Sequence, residues 1–337
     1  MDLLGALLKQ VSRSFYLTLR ILPPAIRPQI GLAYLLARTT DTIADTGIVS
    51  VEKRLSALNA LRERILGTTA APLDFGELAR QQGLPAERVL LERCEEALSL
   101  LSTFSADDQQ RIRDVLKTIT SGQELDLQRF ARASEQNIIA LATDYELDDY
   151  TYRVAGCVGE FWTHMCRGHL FPVAPLDEKK LIENGIRFGK GLQLVNILRD
   201  LPKDLRQGRC YLPVERLNEA GLKPHDLLSL ENETRLRPMY NELLDLAEAH
   251  LAAGWKYTNS LPRNCLRVGL ACAWPILIGQ DTIGKLRTGR VLDASQRIKT
   301  NRSEVRGIII RSILLLPFRL RWQNQFIIRA EKGGKSD

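Results

Sequence analysis

The chain lacks the features that mark several large classes of protein. Its six cysteines contain no Cys-x-x-Cys pair and its four histidines form no His-Glu-x-x-His motif, which argues against the common zinc sites. Gly189-Lys190-Gly191 is not a dinucleotide fingerprint, because Leu194 occupies the third glycine position. No basic signal-peptide region follows Met1. We therefore expect a cytoplasmic protein with reduced thiols and no Rossmann domain.

Linkers and strands are also scarce. No Pro-, Gly- or Ser-rich stretch, repeat or low-complexity block divides the 337 residues, and few segments alternate apolar and polar residues as strands do. Apolar residues instead recur at three- and four-residue spacing, which predicts an all-α protein. The predicted helical stretches are 51–66, 86–101, 107–130, 176–201, 238–251 and 263–286. We expect residues 1–300 to form a single domain.

Two short acidic elements stand out against this background. Asp41 and Asp45 are four residues apart, and so are Asp200 and Asp204. On a helix this spacing puts both carboxylates on one face, with Cβ atoms roughly 5–6 Å apart, close enough to share a hard divalent cation. Two such helices facing each other would form a magnesium cage. Pro202 lies inside the second pair and predicts a kink or a helix end near Asp204.

Other polar and aromatic residues fall on the same two helix faces at spacings of three and four. These residues are Tyr34, Arg38, Gln193 and Asn196. Arg199 and Arg209 lie beside the second acidic pair, and a planar guanidinium is well matched to phosphate oxygens. Carboxylates, Mg²⁺ and arginines together predict a site for a polyphosphate.

Four blocks of the sequence resemble the signature of the squalene and phytoene synthase family. They are Ser12-Arg13-Ser14-Phe15, Tyr34-Leu-Leu-Ala-Arg38-Thr-Thr-Asp41-Thr-Ile-Ala-Asp45, Tyr150-Thr-Tyr-Arg-Val154-Ala-Gly156-Cys-Val-Gly159, and Gln193-Leu-Val-Asn196-Ile-Leu-Arg199-Asp200 running on to Gly208-Arg209-Cys-Tyr-Leu-Pro213. The blocks follow the family order. The resemblance implies an all-α isoprenoid-synthase helical bundle with a central active-site cavity, in which two prenyl diphosphates are joined head to head.

The resemblance also implies roles for individual residues. The positions that match magnesium ligands are Asp41, Asp45, Asp200 and Asp204. Those that match diphosphate-binding residues are Ser14, Arg38, Arg199 and Arg209, and those that line the reaction centre are Phe15, Tyr34, Gln193 and Asn196. Tyr150 matches a tyrosine with a catalytic role. With Tyr152 and the other aromatic residues, it is a candidate to stabilise an allylic carbocation.

One further block concerns the branch of the family. The segment from Cys272-Ala-Trp-Pro275 to Lys285-Leu-Arg287-Thr-Gly289-Arg290 resembles a squalene-synthase block with basic residues linked to NADPH use. The resemblance therefore favours a squalene synthase that takes two farnesyl diphosphates through presqualene diphosphate to squalene, with Mg²⁺ and NADPH. The alternatives are a phytoene or dehydrosqualene synthase, or an enzyme that stops at presqualene diphosphate. A solvated basic face would account equally for Lys285, Arg287 and Arg290.

Residues 301–337 form a basic amphipathic segment. From 302 to 337 there are eight Lys or Arg against three Asp or Glu, so this segment carries much of the formal charge of +7. A spanning helix needs about 20 mainly apolar residues, and Arg311, Arg319 and Arg321 interrupt the apolar run. We therefore expect the segment to lie on an anionic membrane surface. The alternative is a terminal helix that packs on the rest of the protein.

Three other classes of function remain as alternatives. A basic pI near 9.1 is compatible with nucleic-acid binding, but the charge forms no recognised module and aromatic residues make up only 6%. We therefore expect no nucleic-acid partner. A membrane-surface helical scaffold without catalysis would be indicated by a loss of metal binding. A head-to-tail prenyltransferase would be expected to carry Asp-Asp-x-x-Asp motifs, which the sequence lacks.

Overall fold

The computed structural model describes residues 2–12 and 15–334, with only the backbone for 332–334. Within these ranges the chain is helical apart from two very short strands and the connections, which confirms the all-α prediction. The α-helices are α1 Leu8–Ser12, α2 Tyr16–Ile21, α3 Arg27–Asp45, α4 Val51–Leu66, α5 Gly76–Arg80, α6 Pro85–Glu92, α7 Cys94–Leu101, α8 Ala106–Arg129, α9 Asp144–Thr151, α10 Cys157–Leu170, α11 Glu178–Arg206, α12 Val214–Glu219, α13 Glu233–Ser260, α14 Leu266–Thr288, α15 Arg302–Leu315 and α16 Arg319–Gly334. The strands β1 Ile139–Ala140 and β2 Arg209–Cys210 pair in parallel.

Most predicted helices are present, with two differences. The stretch 86–101 was predicted as one helix, but it forms α6 and α7, because the backbone of Arg93 leaves the helical region at φ −105° and ψ 19°. The segment 67–83, which lies outside the predicted helical stretches, contains the short helix α5. Helix α4 has the predicted bounds, since Ser50 caps its first turn and Gly67 ends it in the left-handed conformation.

The chain divides into two compact units. The first comprises residues 1–131 and 161–173, and the second comprises 132–160 and 174–337. In the first unit α3 packs against α8 and α4, and in the second α11 packs against α13 and α14. A single domain over residues 1–300 stays a prediction.

Close backbone approach explains two glycines of the second unit. A Cβ on Gly159 would lie 1.8 Å from the carbonyl oxygen of Gly185, and one on Gly189 would lie 2.1 Å from the carbonyl oxygen of Ala155. The backbone of 155–159 therefore lies directly against α11. Between α9 and α10 the chain makes one π-helical segment, Tyr152–Gly156, so the helical path is continuous from Tyr150 to this contact.

Helix α11 continues through Pro202. The helix ends at Arg206, two residues beyond Asp204, and Gln207 caps it. Both members of the second aspartate pair therefore lie on regular helix, near its C-terminal end. The buried residues of the helix include Leu194, Leu198 and Leu201, which alternate with the partly exposed residues of the acidic face.

The C-terminal segment forms two helices that are anchored on the second unit. The Trp322 ring stacks on Trp255 with centroids 5.5 Å apart, and Trp322 Nε1 donates to Asn259 Oδ1 at 3.1 Å. Arg329 forms an ion pair with Asp281. The structure therefore shows the packed arrangement for one face of α16. In the described part of the chain, no helix is both long enough and apolar enough to cross a membrane.

Candidate active site

Helix α3 carries the first predicted site on one side. Tyr34 and Arg38 are partly exposed, Asp41 and Asp45 are exposed, and most of the residues between them are buried. The buried side packs Leu36 and Ile43, each with no exposed surface, into the first unit. Burial of this apolar side fixes the rotation of the helix. The opposite side, which carries Tyr34, Arg38, Asp41 and Asp45 and which we call the polar stripe, therefore faces outward.

Two residues outside the predicted motifs hold the stripe in place. Gln123, on α8, donates from Nε2 to Asp41 Oδ1 at 2.5 Å. Glu87, on α6, accepts from Arg38 Nη2 at 2.5 Å, and Arg38 Nη1 lies 3.6 Å from Asp41 Oδ2. Gln123 and Glu87 were missed by sequence reasoning, since neither belongs to a local motif.

The pKa of Asp41 is raised from its ordinary value of 3.8 to about 6. Loss of solvation is the largest cause and repulsion from Asp45 is the second, while Arg38 and Gln123 act in the opposite direction. The side chain keeps 51% of its surface exposed, so solvent weakens the first cause and leaves the repulsion from Asp45 as the more important one. A bound cation would reduce the repulsion between Asp41 and Asp45.

Asp41→Asn is therefore expected to stabilise the metal-free protein at neutral pH. A carboxyl whose pKa is higher in the folded chain than in the unfolded chain destabilises the fold as it ionises, so the penalty grows from pH 3.8 to about 6. After a discount for solvent screening, the gain in the free energy of unfolding should be about 1 kcal/mol at neutral pH and close to zero below about pH 4. Urea denaturation of both proteins in EDTA at the two pH values measures it. Equal stability at neutral pH would show that the repulsion is absent.

Phe15, from the first of the four sequence blocks, contacts helix α3. The ring of Phe15 stacks on that of Tyr34 with centroids 5.1 Å apart and planes at 25°. This places Phe15 beside the stripe on α3, as its predicted role requires. Ser14, a predicted diphosphate-binding residue, lies outside the described residues.

Helix α11 carries the second predicted site. Asn196 Nδ2 lies 3.5 Å from Gln193 Oε1. Arg199 donates from Nε and Nη2 to the two carboxylate oxygens of Asp200, at 2.9 and 2.5 Å. Burial alone would raise the pKa of Asp200, but the bonds from Arg199 and the charges of Arg297 and Lys203 hold it below its ordinary value.

Asp204 acts electrostatically on the thiol of Cys210. Burial, with a smaller contribution from the charge of Asp204, raises the pKa of the Cys210 thiol to about 12. Asp204 is thus close to β2, which also contains Arg209. The pairing Ile139↔Arg209 ties this strand to the segment that precedes α9.

Tyr150 lies in α9, with only 8% of its surface exposed. Its ring stacks on Tyr211, with centroids 4.7 Å apart and planes at 23°. Sequence reasoning gave no role to Tyr211, although this residue lies within the block from Gly208 to Pro213. Tyr152 points to a different partner, since its hydroxyl donates to Glu160 Oε2 at 3.2 Å. Burial, with Glu160 second, raises the pKa of Tyr152 to about 12.

The three residues predicted to bind NADPH have different surroundings. Lys285 pairs with Glu304 at 2.6 Å, and Arg287 pairs with Asp245 at 2.6 Å. These ion pairs connect α14 to α15 and α13. Arg290 is exposed and lines a cavity of about 710 Å³ that Arg237 also lines. NADPH binding by these residues stays a prediction.

The carboxylate pairs suit magnesium in their chemistry. Magnesium binds through one or two carboxylates, several waters and substrate phosphates, so a pair on each helix is sufficient. Among the described residues, no group of three or more His, Cys, Asp or Glu side chains comes together as a complete metal cage. The mutual repulsion at Asp41 and Asp45 is the observation that fits a cation. Metal binding at both pairs stays a prediction.

The chain resembles known proteins over most of its length. A sequence model of the squalene/phytoene synthase family matches residues 8–304. A presqualene diphosphate synthase from Zymomonas mobilis is 31% identical over 255 residues, which are 76% of this chain and 74% of that protein. A bifunctional lycopene cyclase/phytoene synthase from Gibberella fujikuroi is 30% identical over 252 residues, 72% of this chain but 40% of that longer protein. The solved structure of TcSQS with the ligand E5700 has a TM-score of 0.79 at 22% identity and covers 98% of this chain and 91% of that one.

Proposed function

Since the chain belongs to the squalene/phytoene synthase family, we propose that it joins two farnesyl diphosphates head to head into presqualene diphosphate. The observation that carries this proposal is the repeated arrangement of two aspartates four residues apart on a helix, with an arginine beside the first of them. Arg38 lies beside Asp41 in α3, and Arg199 lies beside Asp200 in α11. The similarity to a presqualene diphosphate synthase supports the choice of product.

The charged residues would act on the diphosphate. The aspartate pairs would hold magnesium, which would supply positive charge against the departing diphosphate. Arg38 and Arg199 would donate hydrogen bonds to diphosphate oxygens. To do so, each arginine must give up part of the contacts that it now makes with carboxylates. Glu87 and Gln123 would keep Arg38 and Asp41 oriented during this exchange. Donors that are already in place stabilise developing charge with little reorganisation.

The aromatic residues would act on the hydrocarbon part. Loss of diphosphate from an allylic substrate leaves a carbocation, which must be kept from water until the second prenyl chain attacks it. The faces of aromatic rings attract a cation. The stacked pairs Phe15–Tyr34 and Tyr150–Tyr211 present such faces in the two units. Stacking limits the rotation of each ring, so the rings are held in position before substrate binds.

A second candidate is the complete reaction to squalene with NADPH. One observation favours it, namely that Arg290 lies exposed at a cavity large enough for part of a nucleotide. Lys285 and Arg287 give less support to NADPH binding, because each already forms an ion pair within the chain that explains its presence. We therefore place presqualene diphosphate first as the product and squalene second.

The amount of diphosphate released distinguishes the candidates. Formation of presqualene diphosphate releases one diphosphate for every two farnesyl diphosphates consumed, whereas conversion to squalene releases two and oxidises one NADPH. We expect a ratio of one, unchanged by NADPH. A ratio of two with NADPH oxidation would establish the second candidate. Consumption of geranylgeranyl diphosphate in preference to farnesyl diphosphate would instead indicate the phytoene branch.

Tyr150→Phe is expected to slow the formation of presqualene diphosphate by about 10²-fold, the range typical for loss of a group that transfers or orients a proton. The stack on Tyr211 should persist, because phenylalanine keeps the ring, and the fold should be unchanged. Rapid-quench measurement of a single turnover reports the rate. Tyr211→Phe is the matched control, since it removes the hydroxyl of the other ring. An unchanged rate for Tyr150→Phe, or an equal loss in both variants, would contradict a specific role for Tyr150.

A further inference from the structure

Lys190, on α11, contacts the helical turn that carries Tyr150 at two points. Its Nζ donates to Asp148 Oδ1 and Oδ2 at 2.7 and 2.8 Å, and it lies 5.8 Å from the centre of the Tyr152 ring. Asp148 and Tyr152 are four residues apart, so they fall on one side of the turn, whereas Tyr150, two residues from each, falls on the other. Lys190 therefore holds this turn from the side opposite to Tyr150.

The stem of Lys190 is packed as closely as its charged end. The side chain is only 13% exposed. A Cβ on Gly156 would lie 3.2 Å from Lys190 Cγ and 3.1 Å from Tyr152 Cδ2, so the stem and the ring both lie directly against the backbone of Gly156. The hydroxyl of Tyr152 is held in turn by Glu160. An ammonium group that faces a carboxylate and an aromatic ring is attracted by both. Lys190 therefore has a well-defined position between α11 and the turn.

A π-helical segment separates Tyr150 from the tight backbone contact between 155–159 and α11. This segment, Tyr152–Gly156, directly follows α9. A π-helical turn departs from the regular α-helical hydrogen-bond pattern and is frequent at functional sites. The backbone contact beyond it therefore does not by itself fix the rotation of α9. The Asp148–Lys190 ion pair acts on α9 itself, and among the described residues Lys190 is the only cation paired with Asp148.

We propose that Lys190 is a positioning residue for Tyr150. It holds Asp148 and Tyr152, sets the rotation of α9, and so directs the Tyr150 ring to its stack on Tyr211. Lys190 acts through this tyrosine and is not itself catalytic. The inference rests on the proposed function, since it concerns the step in which Tyr150 is expected to act.

A double-mutant cycle with Tyr150→Phe tests the proposal. Lys190→Met removes the charge and keeps a long unbranched stem. It should lower the single-turnover rate of presqualene diphosphate formation by about tenfold, because misplacing a catalytic group by about 1 Å costs up to about 10²-fold. In the Tyr150→Phe background the same change should have no further effect, since the hydroxyl that Lys190 positions is already gone. An equal fall in both backgrounds would overturn the proposal.

Two further measurements separate positioning from binding. The KM for farnesyl diphosphate should be unchanged in Lys190→Met, because the substitution leaves the predicted diphosphate-binding residues in place. Lys190→Arg should recover most of the rate, since a guanidinium can also pair with Asp148. A loss confined to KM, or a rate for Lys190→Arg as low as that for Lys190→Met, would overturn the proposal.

Arg216→Met is the matched control. Arg216 donates to the two carboxylate oxygens of Asp144 at 2.6 and 2.7 Å, in the first turn of the same helix. The variant loses a comparable ion pair on α9 and should keep the wild-type rate. If Arg216→Met slowed the reaction as much as Lys190→Met, the effect would belong to any weakening of α9, and the specific role of Lys190 would be wrong.

Fluorine NMR of a fluorotyrosine at position 150 reports the orientation of the ring without the reaction. The stacked ring of Tyr211 makes its resonance sensitive to orientation. We expect the same resonance in wild type and Arg216→Met, and a shifted or second resonance in Lys190→Met. An unchanged resonance in Lys190→Met would overturn the inference alone. A shifted resonance together with no presqualene diphosphate from the wild type would support the positioning and overturn the proposed function.

Discussion

Asp41→Asn is expected to lower the turnover of farnesyl diphosphate by about three orders of magnitude, while the helical circular dichroism stays at the wild-type level. The magnitude follows from the several kcal/mol that a metal contributes to charge stabilisation in the transition state, at about 1.4 kcal/mol per tenfold change in rate. Asparagine can still accept the hydrogen bond from Gln123, but it removes the charge of a proposed metal ligand. The measurement is the initial rate of diphosphate release over a range of Mg²⁺ concentrations.

The expected stability of Asp41→Asn allows its loss of turnover to be interpreted. Because Asp41→Asn should stabilise the metal-free protein, a fall in activity cannot be attributed to unfolding. Asp107→Asn is the control, since Asp107 is exposed in the first turn of α8 in the same unit. It should retain wild-type turnover. Retained turnover in Asp41→Asn would remove the argument for metal binding at this pair.

Asp200→Asn should lose activity to a similar extent, again by about three orders of magnitude, but with the opposite effect on stability. Asp200 accepts two hydrogen bonds from Arg199, and both side chains are only 24% exposed. The pKa of Asp200 is held below its ordinary value. Its ionised form therefore contributes to stability at neutral pH, and this contribution is lost as the pH falls through the lowered pKa of the folded chain. The substitution should therefore cost about 1 kcal/mol at neutral pH. Initial rates and urea denaturation measure the two effects.

Asp281→Asn is the matched control for this second variant. Asp281 pairs with Arg329 in the same unit, and the two side chains are 23 and 17% exposed. Its substitution should cause a comparable loss of stability and no loss of turnover. If Asp281→Asn lost activity as strongly as Asp200→Asn, the activity lost in Asp200→Asn would be explained by reduced stability. It would then give no support to a role of Asp200 in the active site.

The parts of the site that could be predicted are those set by local periodicity. The four-residue spacing of Asp41 and Asp45, and of Asp200 and Asp204, defines a shared face on any helix, and both pairs lie on helices in the structure. The all-α class followed from the same periodicity. The helix end that Pro202 predicted near Asp204 lies at Arg206, two residues beyond that aspartate.

The parts that could not be predicted depend on contacts between distant segments. Gln123 lies 82 positions from Asp41 in the sequence, and Tyr211 lies 61 positions from Tyr150, so no local pattern links either pair. The break at Arg93 is a change in the backbone angles of one residue, which apolar spacing does not reveal. At the C-terminus, alternating arginines and apolar residues predicted an amphipathic segment, but only the packing around Trp322 shows which face is buried.

The central claim is that this chain couples two farnesyl diphosphates in a reaction that needs a divalent metal. The most direct test is mass spectrometry of the products after incubation of the purified protein with farnesyl diphosphate, with Mg²⁺ or with EDTA. We predict presqualene diphosphate with Mg²⁺ and unchanged substrate with EDTA. A coupled product in EDTA would contradict the metal requirement, and the absence of any coupled product with Mg²⁺ would contradict the proposed reaction itself.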